Sequence, residues 1–185
     1  EDTWLEKIEL DLTKVVHGEQ RITLHRPLPA SGRIRSTFSI KDIFDKGAGK
    51  GAIVLAETQL FDAASGTHIA TNLSSVFARG NGGFGGQPGP VPPMHPVPDR
   101  AADKFLVSPT APNQAALYRL SGDMNPLHID QGFAESAGFD RPILHGLCIF
   151  GMATYALTRM ACEGDASRIA HIEMRFSAPF FPGES

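Results

Sequence analysis

Residues 80–103 constrain this chain more than any other stretch. Gly80-Asn81-Gly82-Gly83-Phe84-Gly85-Gly86 runs into Pro88, Pro90, Pro92, Pro93, Pro96 and Pro98. Proline has no backbone N–H to give to a ladder, and glycine weakens helix and strand alike. Neither a helix nor a central strand continues across such a segment. The chain therefore divides into residues 1–86, a semi-extended linker at 87–103, and residues 104–185. The glycine run formally fits the dinucleotide fingerprint G-x-G-x-x-G and follows a strand, but prolines follow it where that site needs a helix N-terminus. A turn allowing close approach of another segment or a ligand is the better reading.

The halves differ in pattern. Residues 20–79 read as a β-meander: Ile22 and Leu24 alternate with polar neighbours, and so do Ile34, Phe38 and Ile40, with Ser36 the polar exception. Residues 51–61 and 67–77 form a hairpin closed by Asp62-Ala63-Ala64-Ser65-Gly66. The second half predicts short helices over 113–120 and 126–137, the latter closed by Gly138. A longer helix over 146–162, apolar on most faces, should be wrapped by other structure. Residues 168–177 read as a strand. The apolar run at 143–157 is too short for a membrane span. The net charge of −3 offers no basic excess for nucleic acid. Cys148 and Cys162, fourteen residues apart on one helix, lie about 21 Å apart, beyond reach of a disulfide.

The chemistry concentrates in Tyr118-Arg119-Leu120-Ser121-Gly122-Asp123-Met124-Asn125-Pro126-Leu127-His128. Asn125 suits a helix N-cap and Pro126 the first helical position. That puts Asp123 just outside a helix and His128 in its first turn. A carboxylate and an imidazole sharing one water suit general acid–base chemistry. Ordinary helix-start chemistry accounts equally well for Asp123 and Asn125, but not for His128 at the cation-unfavourable end. Arg141-Pro142-Ile143-Leu144-His145-Gly146-Leu147 opens the apolar helix and offers a backbone N–H. His145 and Cys148 share a helical face, yet no acidic orienter stands at a useful spacing. Cys148 reads as a buried thiol and His145 as a structural hydrogen bonder at the helix start. No His, Cys or Asp cluster has metal-ligand spacing, so no metal is expected.

The motif at 118–128 closely resembles the signature of the MaoC-like, (R)-specific 2-enoyl-CoA hydratases (hydratase 2). The resemblance extends to Val16-His17-Gly18-Glu19-Gln20, Asp45-Lys46-Gly47, the Gly82–Gly86 turn, 141–147 and Arg175-Phe176. It is greatest to the two-repeat form found in the peroxisomal multifunctional enzyme and in bacterial homologues. It implies an α+β double hot-dog fold, a curved antiparallel sheet wrapped around a long central helix, with only the second repeat catalytic. It further implies that a first-repeat helix precedes Val16 and that closing strands follow Gly183-Glu184, leaving this chain incomplete at both ends. Asp123 and His128 would hold and activate a water, Asn125 would orient the site, and Gly146 would donate its N–H to the thioester oxygen. His17, Gly18, Lys46, Met124, Pro126, Leu127 and Phe176 would contact acyl-CoA. No cofactor is expected beyond the coenzyme A of the substrate, and no nucleic-acid or membrane partner. A homodimer is expected, in the bacterial cytoplasm or, alternatively, the peroxisome. The acyl chain would meet Ile53, Leu55, Leu60, Ile69 and Val76. Two other activities are weighed: an inactive acyl-CoA-binding module, which a broken motif would mark, and a hot-dog thioesterase.

Overall fold

The computed structural model describes residues 12–90 and 93–185. Pro92 and most of the segment before Val16, where the first-repeat helix is expected, lie outside the described residues. Two compact units result: Glu1–Met94 with Ala166–Arg175, and His95–Asp165 with Phe176–Ser185.

The first unit is an antiparallel sheet of β1 (Val15–Leu24), β2 (Ile34–Asp45), β3 (Ala52–Asp62), β4 (His68–Ala78) and β5 (His171–Arg175), in the order β2-β3-β4-β1-β5. The expected meander holds for β2, β3 and β4. β1 departs from it, pairing with β4 and β5 instead of β2. It also begins at Val15, ahead of the expected 20, because polar residues hide it. Glu19 and Gln20 are buried yet partnered. The Glu19 carboxylate meets Arg21 at 2.9 Å and Arg175 at 2.6 Å. The Gln20 amide donates to the Asn72 side chain and accepts from Ser74 Oγ. Gly18 sits where the β1–β4 register shifts, at a bulge. β5 is shorter than the expected 168–177, a 3₁₀ turn occupying Ala166–Arg168.

The β3–β4 register corrects one expectation. Val54 opposes Val76 and Leu60 opposes Ala70, whereas Ile53 opposes Phe77 and Leu55 opposes Ser75. Directly paired residues share a face, and alternate residues along a strand change face. Ile53 and Leu55 thus lie on one side of the sheet, Leu60 and Val76 on the other. They cannot line one acyl space together. β2 is exposed over its first ten residues, and Ile34, Phe38, Ile40 and Ile43 keep solvent-facing surface.

The hairpin turn is as expected. Asp62 Oδ1 accepts from the N–H groups of Ala64 and Ser65, and Gly66 takes φ +70°. The glycine run is indeed a close-approach turn. Asp45, itself buried, accepts from the N–H groups of Gly47 at 2.8 Å and of Gly83 and Gly85 at 2.7 Å. A Cβ on Gly82 would stand 2.3 Å from the Gly47 carbonyl oxygen, so only glycine fits there.

The second unit holds α1 (Gln114–Arg119), α2 (Gln131–Ser136) and α3 (Gly146–Ala161). The single helix expected over 126–137 is two. Asn125 caps a 3₁₀ turn, Pro126–His128, and Asp130 caps α2 by accepting from Phe133 N–H at 2.7 Å. A second good capping residue in the run restarts the helix. Gly138, at φ +87°, closes it. The helix expected over 146–162 forms as α3 and ends at Ala161. It buries Cys148, Phe150 and Thr158, while Leu147, Tyr155 and Leu157 are exposed. Leu144 and Cys148 form a core with Ala115, and Leu127 forms another with Ala134 and Ala137. Both cysteines are free. Among the described residues no helix is long and apolar enough to cross a membrane.

Candidate active site

The reversal between α1 and α2 is tied by its own side chains. Asp123 Oδ1 accepts from Asn125 N–H at 3.1 Å, and Asn125 Oδ1 accepts from Leu127 N–H at 3.0 Å. The Arg119 guanidinium donates to the Asn125 carbonyl at 2.9 Å. Leu127 anchors the turn in the core, while Met124 and Pro126 remain exposed. This geometry turns the sequence 123–128 back on itself and leaves Asp123 at the surface with His128 buried behind it.

His128 Nδ1 lies 2.8 Å from the Ile143 carbonyl oxygen. A carbonyl only accepts, so Nδ1 carries the proton and Nε2 keeps its lone pair. Burial lowers the affinity of this imidazole for a second proton. It is therefore a neutral base with a defined basic atom. Ligand atoms of Asp123, His128 and His145 all lie within 4.8 Å of one another. Linear spacing hid this cluster, because His145 enters from the start of α3, 22 residues after Asp123.

The cluster has the donor types of a metal site but not its aim. The His128 and His145 rings stack with centroids 3.7 Å apart and planes inclined by 28°. Imidazole lone pairs lie in the ring plane, so stacked rings direct them side by side and not at a common point. His145 is the N-cap of α3 and is almost fully buried, 1% exposed. Its Nε2 lies 3.3 Å from the Asp123 backbone carbonyl. Burial, followed by the neighbouring His128, pushes its pKa down to about 4. Tyr118 also packs against it, ring centroids 4.7 Å apart and planes inclined by 50°. Sequence reasoning undervalued Tyr118, Arg119 and His145. The first two were inside the motif, and no periodicity marks the third.

Gly146 is the first residue of α3, so its N–H has no acceptor within the helix. A Cβ there would lie 3.2 Å from three atoms of the Phe176 ring, which makes glycine the fitting residue beside that aromatic. The N–H and the positive end of the helix dipole are suited to stabilising a developing oxyanion.

His17, Gly18 and Lys46 belong to the first unit. His17 Nε2 contacts the Glu19 carbonyl at 3.0 Å. Lys46 Nζ donates to the Pro88 carbonyl at 2.5 Å and stands 5.6 Å from the centre of the Phe44 ring.

The MaoC like domain matches residues 94–185, and the MFE-2 hydratase 2 N-terminal domain matches residues 1–80. A 3-hydroxyacyl-thioester dehydratase of Mycobacterium tuberculosis is 47% identical over 92% of this chain and 59% of that protein. The peroxisomal enoyl-CoA hydratase 2 of Arabidopsis thaliana is 40% identical over 95% of this chain and 59% of its own length. The crystal structure of a MaoC-like dehydratase from Phytophthora capsici superposes with a TM-score of 0.82 at 41% identity, covering 92% of this chain and 59% of that one. A more distant Mycobacterium tuberculosis structure described as a double hot-dog fold, 14% identical with a TM-score of 0.55, speaks to the fold alone. The chain thus has the α+β hot-dog architecture of these proteins and spans about three-fifths of the length of both relatives.

Proposed function

The chain belongs to the MaoC-like dehydratases, in the hydratase 2 group, and from that premise we propose that the full-length protein hydrates trans-2-enoyl-CoA to (3R)-3-hydroxyacyl-CoA, reversibly. The observation that carries this reading is the meeting of the Asp123 carboxylate with a neutral, correctly tautomerised His128.

In the proposed reaction a water is held between the Asp123 carboxylate and His128 Nε2. One O–H bond of the water breaks as its oxygen bonds to C3. The proton, handled by the pair, ends on C2, so one water is added across C2=C3. Electron density displaced from the double bond accumulates on the thioester oxygen, where the Gly146 N–H supplies a donor. Asn125 keeps the carboxylate in place through its backbone N–H. A positioned acid–base pair of this kind contributes about 10²- to 10⁴-fold. No step calls on a metal or a separate cofactor. His17, Gly18, Lys46 and Phe176 are the proposed coenzyme and acyl contacts, and a homodimer in the bacterial cytoplasm, or in a peroxisome, is the proposed setting.

Incubation of the full-length protein with trans-2-decenoyl-CoA tests the reading. Loss of enoyl absorbance without thiol release supports hydration. Thiol release instead makes the protein a thioesterase, and no change at all leaves an acyl-CoA-binding module. An S-specific 3-hydroxyacyl-CoA dehydrogenase coupled to the assay should give no signal, because the proposed product has the R configuration.

A further inference from the structure

His145 does none of the things a residue at its position ordinarily does. It is an N-cap that makes no side-chain capping bond, at a site where Ser, Thr, Asp or Asn would satisfy an orphan N–H. It is buried, yet its Nδ1 has no hydrogen-bond partner. A buried polar atom left unpaired costs about 1–3 kcal/mol. A phenylalanine would fill the space without that cost. Helix chemistry and packing therefore both argue against histidine here.

Two contacts argue for it. Nε2 faces the Asp123 backbone carbonyl, which only accepts, so the ring carries its proton on Nε2 and is neutral with the lone pair on the orphaned Nδ1. The face of the same ring lies against His128 at 3.7 Å. One side chain thus touches both members of the acid–base pair, and its own peptide carbonyl precedes the Gly146 N–H. We infer that His145 is a positioning residue for the proposed hydration, holding the Asp123 backbone with its Nε2–H and the His128 ring with its face.

Neutrality is part of that role. The groups facing the ring are Asp123, His128, Arg119 and Tyr118, with Cys148 one helical turn along α3. A cation stacked on His128 would oppose proton uptake by the base. Burial holds His145 neutral to about pH 4, so the stack presents an uncharged surface throughout the range in which His128 works.

The inference rests on the hydratase reading, and two variants of the full-length protein separate its parts. His145→Phe keeps a flat ring against His128 and removes the donor to Asp123. His145→Gln keeps a donor at a similar reach and removes the ring. Each should lower kcat about 10- to 100-fold and leave KM for trans-2-decenoyl-CoA within about threefold. A filler role predicts the opposite for His145→Phe: unchanged kcat and equal or higher stability. Near-normal kcat in a folded His145→Phe protein overturns the inference.

Long-range ¹H–¹⁵N correlation spectra of the imidazoles give a reading free of turnover. The wild-type protein should show His145 neutral with the proton on Nε2 at pH 6, and His128 neutral with the proton on Nδ1 at pH 7.5. His145→Phe and His145→Gln should each shift the His128 ring signals. A protonated or Nδ1–H His145, or a His128 ring unmoved by both variants, overturns the proposal. A wild-type protein that leaves enoyl thioesters untouched ends the hydratase reading, and the spectra then decide whether His145 holds the pair.

Discussion

Asp123 and His128 each combine a structural hydrogen bond with a proposed part in the chemistry, and substitutions can separate the two. The Asp123 carboxylate also accepts the Asn125 N–H, and an asparagine would keep that bond through its own Oδ1. Asp123→Asn should therefore keep the turn and remove only the charge. In His128→Asn, the new amide can still donate to the Ile143 carbonyl in place of Nδ1 while the basic Nε2 is gone. Both variants should lose at least about 10²-fold in turnover with unchanged circular dichroism. Near-normal turnover in either would remove that residue from the chemistry. The histidines also tie stability to pH. His128 and His145 both bind protons less readily folded than at the ordinary imidazole value of 6.5. The unfolded chain then binds more protons below that value, so their contribution is complete above about pH 6.5 and is lost as pH falls toward the folded value, about 4 for His145. For His145 this amounts to up to about 3 kcal/mol. Asp45, Asp62 and Asp103, whose carboxyls are held below 3.8 by hydrogen bonds, act under that window, where acid takes away the stability they give above it. Urea midpoints of the wild type should fall between pH 6.5 and 4, and more steeply than those of His145→Phe. Parallel curves would show that His145 is not buried neutral.

At the scale of the element, the start of α3 combines a donor with a close aromatic neighbour, and any test of the donor must allow for the neighbour. His145 has ψ 130°, the conformation a residue before proline prefers, and proline is accepted at the first position of a helix. Gly146→Pro therefore suits the backbone and deletes the N–H, but its Cβ presses on Phe176, as any Cβ there would. Gly146→Ala carries the same pressure with the N–H intact. The rate difference between the two variants is the donor's share, expected at about 10²- to 10³-fold. Equal rates would exclude the oxyanion role. Much of this element was readable in sequence: the apolar run predicts a helix over 146–162, and α3 ends one residue earlier, at Ala161. The β3–β4 hairpin was equally legible, because Asp62, Ser65 and Gly66 make the turn locally. What stayed hidden was non-local. β1 is built on Glu19 and Gln20, buried polar residues whose partners come from β4 and β5, so hydrophobic alternation has nothing to register. The break between the 3₁₀ turn and α2 depended on which of two good caps, Asn125 or Asp130, would start a helix. The pairing of His145 with His128 depended on stacking across separate segments of the chain.

At the scale of the molecule, every side chain proposed to handle protons lies in the second unit, while His17, Gly18 and Lys46 lie in the first. Such a division predicts that variants in the two units fail differently. Lys46 is the sharpest case. Its neighbour Asp45 gathers the N–H groups of Gly47, Gly83 and Gly85 on one carboxylate, so the loop that carries Lys46 is pinned at both ends. Its ammonium is further held by the Pro88 carbonyl. A cation fixed this firmly is pre-organised to meet an anion, and the anions of the proposed substrate are the phosphates of coenzyme A, remote from the reacting carbons. Lys46→Met keeps the apolar stem and removes the charge. It should raise KM for trans-2-decenoyl-CoA about 10-fold, equivalent to about 1.4 kcal/mol, and leave kcat close to wild type. The same acyl group on N-acetylcysteamine has no phosphates, so its kcat/KM should be the same in the variant and the wild type. A KM for the coenzyme A ester that does not change would release Lys46 from the binding role. An equal loss on both thioesters would show that Lys46 supports the loop and not the phosphates.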